Sequence, residues 1–372
     1  GYIKTKFLKN QKKEKTSRDF TEPVYSDMTE DHSINMAWHN VTNAAANNAV
    51  QQVLASTSGL TTIAPTWFSL ADTEGNISSI ADADYVNYAH TAGLEVWAVF
   101  RDFHGGTNSY DETYETLRYT SKRAKLEDQV VATAVAAGVD GINLDFELIS
   151  SKCGVHYVQL VRELSVKCHQ NNLVFSVDNY VPQSYNSHYD LKEQGIVADY
   201  VVIMAYDEHT EGSYEAGSVA SISYLQDGIE KTLKKVSADK VIAGIPFFTR
   251  LWFETAKSPE QLSEEAGTEA ASYPNKVSSK ALGMEEAAQS VVNAGATAQW
   301  DEKTQQNYAK WSADGGTYRI WLEDAQSLEA KLKVIQENKL AGVAEWSLGK
   351  EESSVWKLIS QLSLIHISEP TR

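Results

Sequence analysis

The sequence has only two cysteines among its 372 residues, a shortage of positive charge and no long hydrophobic run. Cys153 and Cys168 bracket a helical pattern, and on a helix they would lie on the order of 20 Å apart, too far for a disulfide. No apolar segment approaches the roughly 20 residues that a membrane-spanning helix needs. The formal net charge of -17 argues against a nucleic acid as partner. These shortages predict a globular protein with two free thiols, no membrane span and no nucleic-acid partner.

The two ends of the chain do not follow the pattern of the rest. The chain starts with Gly1 rather than Met, shows no signal peptide, and is rich in lysine over residues 1–18. We expect residues 1–30 to be a linker or the remnant of an upstream module. Residues 364–372 resemble the translated read-through of a sequencing adapter, so we expect a non-native tail there. The main domain is therefore predicted over residues 31–363.

From residue 34 onward, short apolar segments alternate with amphipathic helical patterns, as expected for parallel strands joined by helical crossovers. The strands are predicted at 34–41, 61–70, 94–100, 139–147, 173–180, 200–207, 241–248 and 342–347. The helices are predicted at 44–56, 82–92, 126–137, 156–171, 222–236, 324–338 and 353–362. This number and spacing of units favours an α/β fold, the (β/α)8 TIM barrel, over an open sheet.

One long gap interrupts this rhythm between the seventh strand and the helix at residue 324. Within the gap, residues 305–311 and 317–322 alternate in polarity around Asp314-Gly315, which is a hairpin signal. We therefore predict a small α+β insertion over residues 252–320, between strand 7 and helix 7. In that position the insertion could form one wall of a cleft at the barrel mouth.

The fourth predicted strand, 139–147, is apolar like its neighbours but carries a row of polar side chains. Because side chains alternate between faces, Asn143, Asp145 and Glu147 share one face, with Leu144 and Phe146 on the other. Burying two carboxylates and an amide in one row is costly unless they hydrogen-bond each other or do chemistry. A carboxylate row at the end of a barrel strand is where barrel enzymes keep their catalytic groups.

Four segments of the chain resemble motifs of glycoside hydrolase family 18. Asp140-x-x-Asn143-x-Asp145-x-Glu147 resembles the family signature D-x-x-D-x-D-x-E. The sixth strand ends in Met204-Ala205-Tyr206-Asp207, which is similar to M-x-Y-D. The seventh, from Gly244 to Arg250, is similar to G-x-P-x-Y-x-R with Phe248 in place of Tyr, and the eighth carries a tryptophan in Glu345-Trp346. The resemblance covers about residues 34–362 and is closest to bacterial cell-wall and spore-cortex members.

The resemblance implies a role for each matching residue in cleaving a glycosidic bond. Glu147 would protonate the leaving oxygen and later activate water, and Asp145 would hold the N–H of the sugar's 2-acetamido group. Tyr206 would hydrogen-bond the acetamido oxygen, and Trp346 would form an apolar floor for the ring. We include Asn143 with Glu147, Asp145 and Tyr206 among the expected catalytic residues. Further substrate-binding candidates are Met204, Asp207 and Arg250 by motif, and Trp38, Trp67, Asn179 and Tyr180 by position at strand ends.

Two departures from the family pattern modify this expectation. Asn143 replaces an aspartate, so Asp145 lacks a like-charged neighbour there and should stay ionised more readily. We expect activity to survive with an altered acidic limb of the pH profile. The third strand lacks the family's S-x-G-G, which weakens the case for chitin as substrate. Asp140 is out of phase with the other polar residues and is expected to anchor backbone beside the strand.

The resemblance implies a retaining, substrate-assisted hydrolase of β-1,4-linked N-acetylglucosamine glycans, acting as a monomer on peptidoglycan, spore cortex or a chitin-type polymer outside the cell. Two alternatives stay open: a carbohydrate-binding barrel without turnover, and an endo-β-N-acetylglucosaminidase acting on N-glycans. No cofactor is expected. A metal site is not expected either, because only Glu208 and His209 lie together and the other histidines are scattered.

Overall fold

The computed structural model describes residues 26–363. The predictions of a non-native tail at 364–372, and of a linker over most of residues 1–30, concern segments that lie outside the described residues. Within 26–363 the chain forms a parallel barrel, helices around it and a second, antiparallel sheet.

The predicted barrel is confirmed. In chain order, the strands are β1 (Ile34–His39), β2 (Thr62–Pro65), β3 (Phe68–Leu70), β4 (Ile77–Ser79), β5 (Glu95–Arg101), β6 (Gly141–Asp145), β7 (Val174–Tyr180), β8 (Tyr200–Met204), β9 (Val241–Pro246), β10 (Phe248–Ala256), β11 (Asn275–Gly283), β12 (Gln299–Asp301), β13 (Gln306–Ala313), β14 (Gly316–Leu322) and β15 (Gly342–Trp346). Eight of them pair in parallel in the order β2-β1-β15-β9-β8-β7-β6-β5, and pairing of β2 with β5 closes the ring.

Alternation along the barrel strands produces two apolar layers. On β5, Trp97 and Val99 belong to the cluster that fills the barrel interior, whereas Ala98 and Phe100 belong to the cluster between the strands and the helices. The same alternation places Leu144 of β6 in the outer layer. The inward face of β6 is therefore the one that carries its polar side chains, as the sequence predicts.

Most helices cover the outside of the barrel, and α8 and α9 lie in the segment that forms the second sheet. They are α1 (Val50–Leu54), α2 (Ala83–Thr91), α3 (Tyr110–Leu117), α4 (Thr120–Ala137), α5 (Gly154–Gln170), α6 (Leu191–Val197), α7 (Ile222–Leu233), α8 (Pro259–Glu264), α9 (Met284–Asn293), α10 (Ala325–Glu337) and α11 (Val355–Ser363). The sequence did not predict α3 or α6. Helix α3 buries two threonines and one leucine, which gives little apolar periodicity, and α6 has only seven residues.

Asp140 anchors backbone beside β6, as predicted. Its Oδ2 accepts a hydrogen bond from the backbone N–H of Val96 at 2.8 Å and lies 2.8 Å from His90 Nε2, within hydrogen-bond distance. Gly138, just before this strand, ends α4 with a φ of 77°, a left-handed conformation that glycine adopts without strain. These contacts fix how the chain enters β6.

The second sheet is antiparallel, with strand order β11-β10-β14-β13-β12. It runs from Phe248 to Leu322, slightly beyond the predicted bounds of 252–320 at each end. The predicted hairpin is confirmed, because β13 and β14 pair around the turn at Asp314-Gly315. A single residue separates the end of barrel strand β9 from the start of β10, so the second sheet continues directly from the barrel.

A buried polar network also joins the second sheet to the barrel. The hydroxyl of Ser218 donates to Gln306 Oε1 at 2.5 Å, and Gln306 Nε2 donates to Glu323 Oε1 at 2.7 Å. Glu323 pairs in turn with Lys331 of α10 at 2.8 Å, and both side chains of this pair are buried. The network connects the segment after β8, the sheet and a barrel helix.

Two further findings concern the described residues. Cys153 and Cys168 are both free, as the spacing predicts, and both are buried. None of the helices in residues 26–363 is both long enough and apolar enough to cross a bilayer.

Candidate active site

The carboxyl ends of the barrel strands surround a cavity of about 150 Å³. Of the residues expected from motifs, those that line it are Asp145, Glu147, Met204, Tyr206, Asp207 and Trp346. The other lining residues are Trp38, Phe103, Asp178 and Tyr180. Six barrel strands, or the segments that directly follow them, thus contribute the acidic and the aromatic groups.

Asn143 lies below the cavity and connects its own strand, β6, to the adjacent β7 and to β1 across the barrel interior. Its Oδ1 accepts a hydrogen bond from Trp38 Nε1 at 3.0 Å. Its Nδ2 donates to Ser176 Oγ at 2.9 Å and to Asp178 Oδ1 at 2.7 Å. An amide can donate and accept at once, which a carboxylate cannot, so this residue type satisfies the partners on both sides.

Asp145 is buried beside the cavity, and its Oδ1 has no hydrogen-bond partner among the described residues. Burial raises the pKa of Asp145 well above its usual range, and the charges of Glu147 and Asp178 raise it further. The expectation that Asn143 leaves Asp145 more readily ionised compares Asn143 with an aspartate at the same position, so it stays a prediction. It considered only the neighbour on the same strand, whereas Asp178 supplies a carboxyl group from the adjacent strand.

Glu147 follows the end of β6, and its carboxyl group faces the cavity. Burial raises the pKa of Glu147, and a hydrogen bond from the Tyr180 hydroxyl to Oε2 opposes that shift. The charge of Asp207 raises the pKa further. A carboxyl group with a raised pKa holds its proton to a higher pH than usual and can deliver it to a substrate.

Aromatic rings form the floor of the cavity. The ring centroids of Trp38 and Trp346 are 5.9 Å apart, and those of Trp38 and Tyr206 are 6.4 Å apart, in edge contacts. Burial raises the pKa of Tyr206 well above its usual range, so its hydroxyl keeps its proton. Such a surface offers apolar faces to a sugar ring and one hydroxyl donor beside the carboxyl groups.

Asp207 and Arg250 sit at the rim next to the second sheet. Asp207 lines the cavity with a φ of 59°, in the left-handed region. Burial raises its pKa, and the charges of Arg250 and Lys350 oppose that shift. Arg250 does not line the cavity itself, because it points along the sheet and donates from Nη1 to Ser279 Oγ at 2.9 Å. The structure thus brings Asp207 to the cavity and places Arg250 behind it.

Two candidates from the sequence lie elsewhere. Trp67 is buried in the outer layer, where its Nε1 donates to Asn47 Oδ1 at 2.8 Å. Asn179 points away from the barrel interior and exchanges hydrogen bonds with Gln194 of α6. Both were chosen because they lie at the end of a predicted strand, a criterion that ignores which face of the strand a residue occupies.

Two acidic residues near the cavity were not predicted. Asp178 shares the inward face of β7 with Tyr180, so strand alternation from Tyr180 would have found it. Burial raises the pKa of Asp178 to about 8 despite the hydrogen bond from Asn143. Asp102, just after β5, accepts hydrogen bonds from the backbone N–H groups of Glu147 and Leu148. No sequence pattern predicts this contact between residues about 45 positions apart.

Two observations concern possible metal ligands and the thiol nearest the site. Residues 26–363 contain no group of three or more His, Cys, Asp or Glu side chains placed to hold a metal ion. Burial raises the pKa of Cys153 to about 12, which makes it a poor nucleophile near neutral pH.

Comparison with known proteins places these features in a family. The pattern of Glycosyl hydrolases family 18 matches residues 38–351. The uncharacterized glycosylase YvbX of Bacillus subtilis (strain 168) is 26% identical over 295 residues, which are 77% of this chain and 80% of that protein. The cortical fragment-lytic enzyme of the same organism is 27% identical over 252 residues, 65% of this chain, and the match spans only 53% of the enzyme's length.

Solved structures show the same fold. The spore cortex-lytic enzyme SleL of Bacillus megaterium QM B1551 has a TM-score of 0.71 and 20% identity, covering 89% of this chain and 74% of that one. A chitinase from Chromobacterium violaceum ATCC 12472 has a TM-score of 0.73 and 21% identity, covering 89% of this chain and 98% of that one. With the family pattern extending over most of the barrel and the fold shared with these structures, the chain belongs to glycosyl hydrolase family 18 and is a glycosidase.

Proposed function

We propose that this glycosidase hydrolyses β-1,4-linked N-acetylglucosamine glycans with retention of configuration, using the acetamido group of the sugar as nucleophile. One observation carries the proposal. Glu147, whose pKa is raised by burial, and Asp145, which has an unpartnered buried oxygen, lie on one strand face above an aromatic floor. That arrangement offers one acid to the leaving group and one acceptor to the acetamido N–H.

The reaction would run in two steps. In the first, protonated Glu147 donates its proton to the glycosidic oxygen while the acetamido oxygen attacks the anomeric carbon, which gives a cyclic oxazolinium ion and a free alcohol. In the second, ionised Glu147 takes a proton from water, whose oxygen attacks the same carbon and reopens the ring. Two inversions give net retention, and Glu147 ends protonated as it began.

The other groups of the site would stabilise the charged intermediate. Asp145 Oδ1 would accept the acetamido N–H, and the positive charge of the oxazolinium ion would offset the cost of ionising Asp145 in a buried position. The Tyr206 hydroxyl would donate to the acetamido oxygen and orient it for attack. Trp346 and Trp38 would hold the sugar ring by apolar contact.

Peptidoglycan of the cell wall or spore cortex is the polymer that the comparisons favour. Two relatives carry names for cortex lysis, one matched by sequence and one by structure. We therefore propose action outside the cell, on wall or spore material. A chitin-type polymer is the second candidate, supported by the shared fold with a chitinase.

The acid role of Glu147 is tested by Glu147→Gln. Hydrolysis of a chromogenic N-acetylglucosamine oligomer should fall by roughly 10²–10⁴-fold, because an amide cannot deliver the proton. Glu95→Gln is the matched control: Glu95 also has a pKa raised by burial, to about 7, but starts β5 at the opposite end of the barrel. The control should stay near wild-type activity. Equal rates for Glu147→Gln and wild type would contradict the enzyme mechanism.

Two further measurements separate the alternatives. A non-catalytic sugar-binding barrel would bind the oligomer with no turnover in the wild type. Mass spectrometry of products from peptidoglycan, cortex, chitin and an N-glycoprotein, run side by side, would identify the polymer. Release of N-glycans alone would favour the endo-β-N-acetylglucosaminidase alternative over wall hydrolysis.

A further inference from the structure

Asp102 is a fully buried carboxylate next to the candidate acid, yet it does not line the cavity. It follows the last residue of β5. Its Oδ1 accepts the backbone N–H of Glu147 at 2.8 Å, and its Oδ2 accepts the backbone N–H of Leu148 at 3.0 Å. The hydroxyl of Thr113, on α3, donates to Oδ2 at 3.1 Å. Every hydrogen bond of the carboxylate is therefore one that it accepts.

These bonds replace the sheet pairing that ends just before Glu147. Strand β6 ends at Asp145, so the next backbone N–H groups have no neighbouring strand to bind. Asp102 accepts two of them, and the hydroxyl of Tyr189 donates to the carbonyl oxygens of Phe146 and Glu147 at 3.2 and 3.1 Å. Two side chains from other parts of the barrel thus fix the backbone that carries the Glu147 side chain.

We propose that Asp102 is a positioning residue that holds the backbone of Glu147 so that its carboxyl group meets the glycosidic oxygen. The inference rests on the proposed role of Glu147 as acid. A small displacement of an acid in a site of this kind can lower the rate by roughly 10²-fold, since proton transfer requires hydrogen-bond distance. Asp102 itself touches no substrate atom and acts only through Glu147.

The protonation of Asp102 should affect its hold on the backbone. Burial raises the pKa of Asp102 to about 7, the hydrogen bonds from Glu147, Thr113 and Leu148 lower it, and the charge of Glu147 raises it. A protonated carboxyl group carries a donor on one oxygen and can no longer accept from every partner equally well. The hydrogen bonds that Asp102 accepts from the backbone of Glu147 and Leu148 should weaken as the pH falls through the pKa of Asp102. Protonation of Asp102 would then contribute to the loss of activity at acidic pH.

Other titratable groups face Asp102 from the elements around it. Besides Glu147, they are Asp145 from β6, Cys153 and Tyr157 at α5, and Tyr189 after β7. Burial raises the pKa of each of them, so the cysteine and the tyrosines stay neutral near pH 7. Titration of Asp145 can also contribute to the acidic limb of the activity profile. Assigning that limb to Asp102 therefore requires a variant in which residue 102 alone no longer titrates.

Asp102→Asn is that variant, and Asp199→Asn is its matched control. Asp199 is also fully buried and accepts a backbone N–H, from Phe175 at 2.7 Å, but it precedes β8 at the opposite end of the barrel. Both variants should lower the melting temperature. Only Asp102→Asn should lower kcat by roughly 10–100-fold with little change in KM, and only it should alter the acidic limb of kcat against pH.

A second variant covers the case in which Asp102→Asn does not fold. Thr113→Val removes one donor to the Asp102 carboxylate and conserves shape, so the pKa of Asp102 should rise and the acidic limb should move to higher pH. The inference is overturned if Asp102→Asn matches Asp199→Asn in kcat and pH profile, or if Thr113→Val leaves the limb in place. Full activity of Glu147→Gln would instead overturn the proposed function.

Discussion

At the scale of single residues, Asn143 decides how charge is arranged below the cavity. Its amide donates to Asp178 and accepts from Trp38, so the group in contact with the buried Asp178 carboxyl group is neutral. An aspartate at this position would put a second carboxyl group 2.7 Å from Asp178, where the amide nitrogen now lies. Two carboxyl groups that close cannot both ionise and would share a proton.

Asn143→Asp should therefore make stability more dependent on pH. One carboxyl group of the pair would have a folded-state pKa far above its unfolded value of about 3.9. Its stabilising effect is fully present below that unfolded value and is lost as the pH rises toward the folded pKa. Denaturant unfolding at several pH values should show a steeper loss of stability from about pH 4 upward than in wild type.

Ser176→Ala is the control for this prediction, since it removes another partner of Asn143 without adding charge. It should shift stability by a similar amount at every pH. Parallel curves for Asn143→Asp and wild type would show that residue 143 does not control the protonation of Asp178. The activity profile of the same variant would show whether its acidic limb moves, as we expect from the sequence.

At the scale of elements, strands were more predictable than the contacts between them. Apolar runs located the barrel strands, and alternation on β6 placed Asn143, Asp145 and Glu147 on one face. Asp178 and Asp102 come close to that face only because β7 and β5 flank β6 in a particular register. Register between strands distant in sequence depends on the closure of the whole barrel, which no local pattern encodes.

The link between the second sheet and the barrel can be tested through Lys331. This side chain neutralises the buried Glu323, so Lys331→Met should leave a buried carboxylate without its ion-pair partner and cost about 3–5 kcal/mol. Lys234→Met is the control, because the exposed Lys234–Glu230 pair lies on α7 and should be worth well under 1 kcal/mol. Denaturant unfolding measures both. Equal losses would mean that the buried pair contributes no more than a surface pair.

At the scale of the whole molecule, buried carboxyl groups set how stability should vary with pH. Burial raises the pKa to about 7 for Asp102 and Glu95 and to about 8 for Asp178 and Glu127. At a pH between its unfolded-state pKa and its folded-state pKa, each such group binds more protons in the folded protein than in the unfolded one. Each therefore stabilises the fold most below about pH 4 and loses that effect as the pH rises.

We accordingly expect the free energy of unfolding to be greater near pH 5 than near pH 8. Glu163, whose pKa is lowered to about 2 in the folded state, acts in the opposite direction only below its unfolded pKa of about 4.3. Burial lowers the pKa of His39 to about 4, so His39 offsets part of the difference below its unfolded pKa of about 6.5. Urea unfolding across this range measures the slope. Glu345→Gln should flatten it, because Glu345 is fully buried with its pKa raised and no hydrogen-bond partner among the described residues. A flat wild-type curve would contradict the shared effect of these groups.

The direct passage from β9 into β10 has a consequence for engineering. Only Phe247 lies between the two strands, and its N–H donates to the carbonyl oxygen of Trp346 at 2.7 Å. No flexible linker therefore joins β9 to the second sheet. Transplanting the second sheet between homologues would therefore cut the chain next to Trp346. Exchange of the hairpin around Gly315 would instead leave that junction intact.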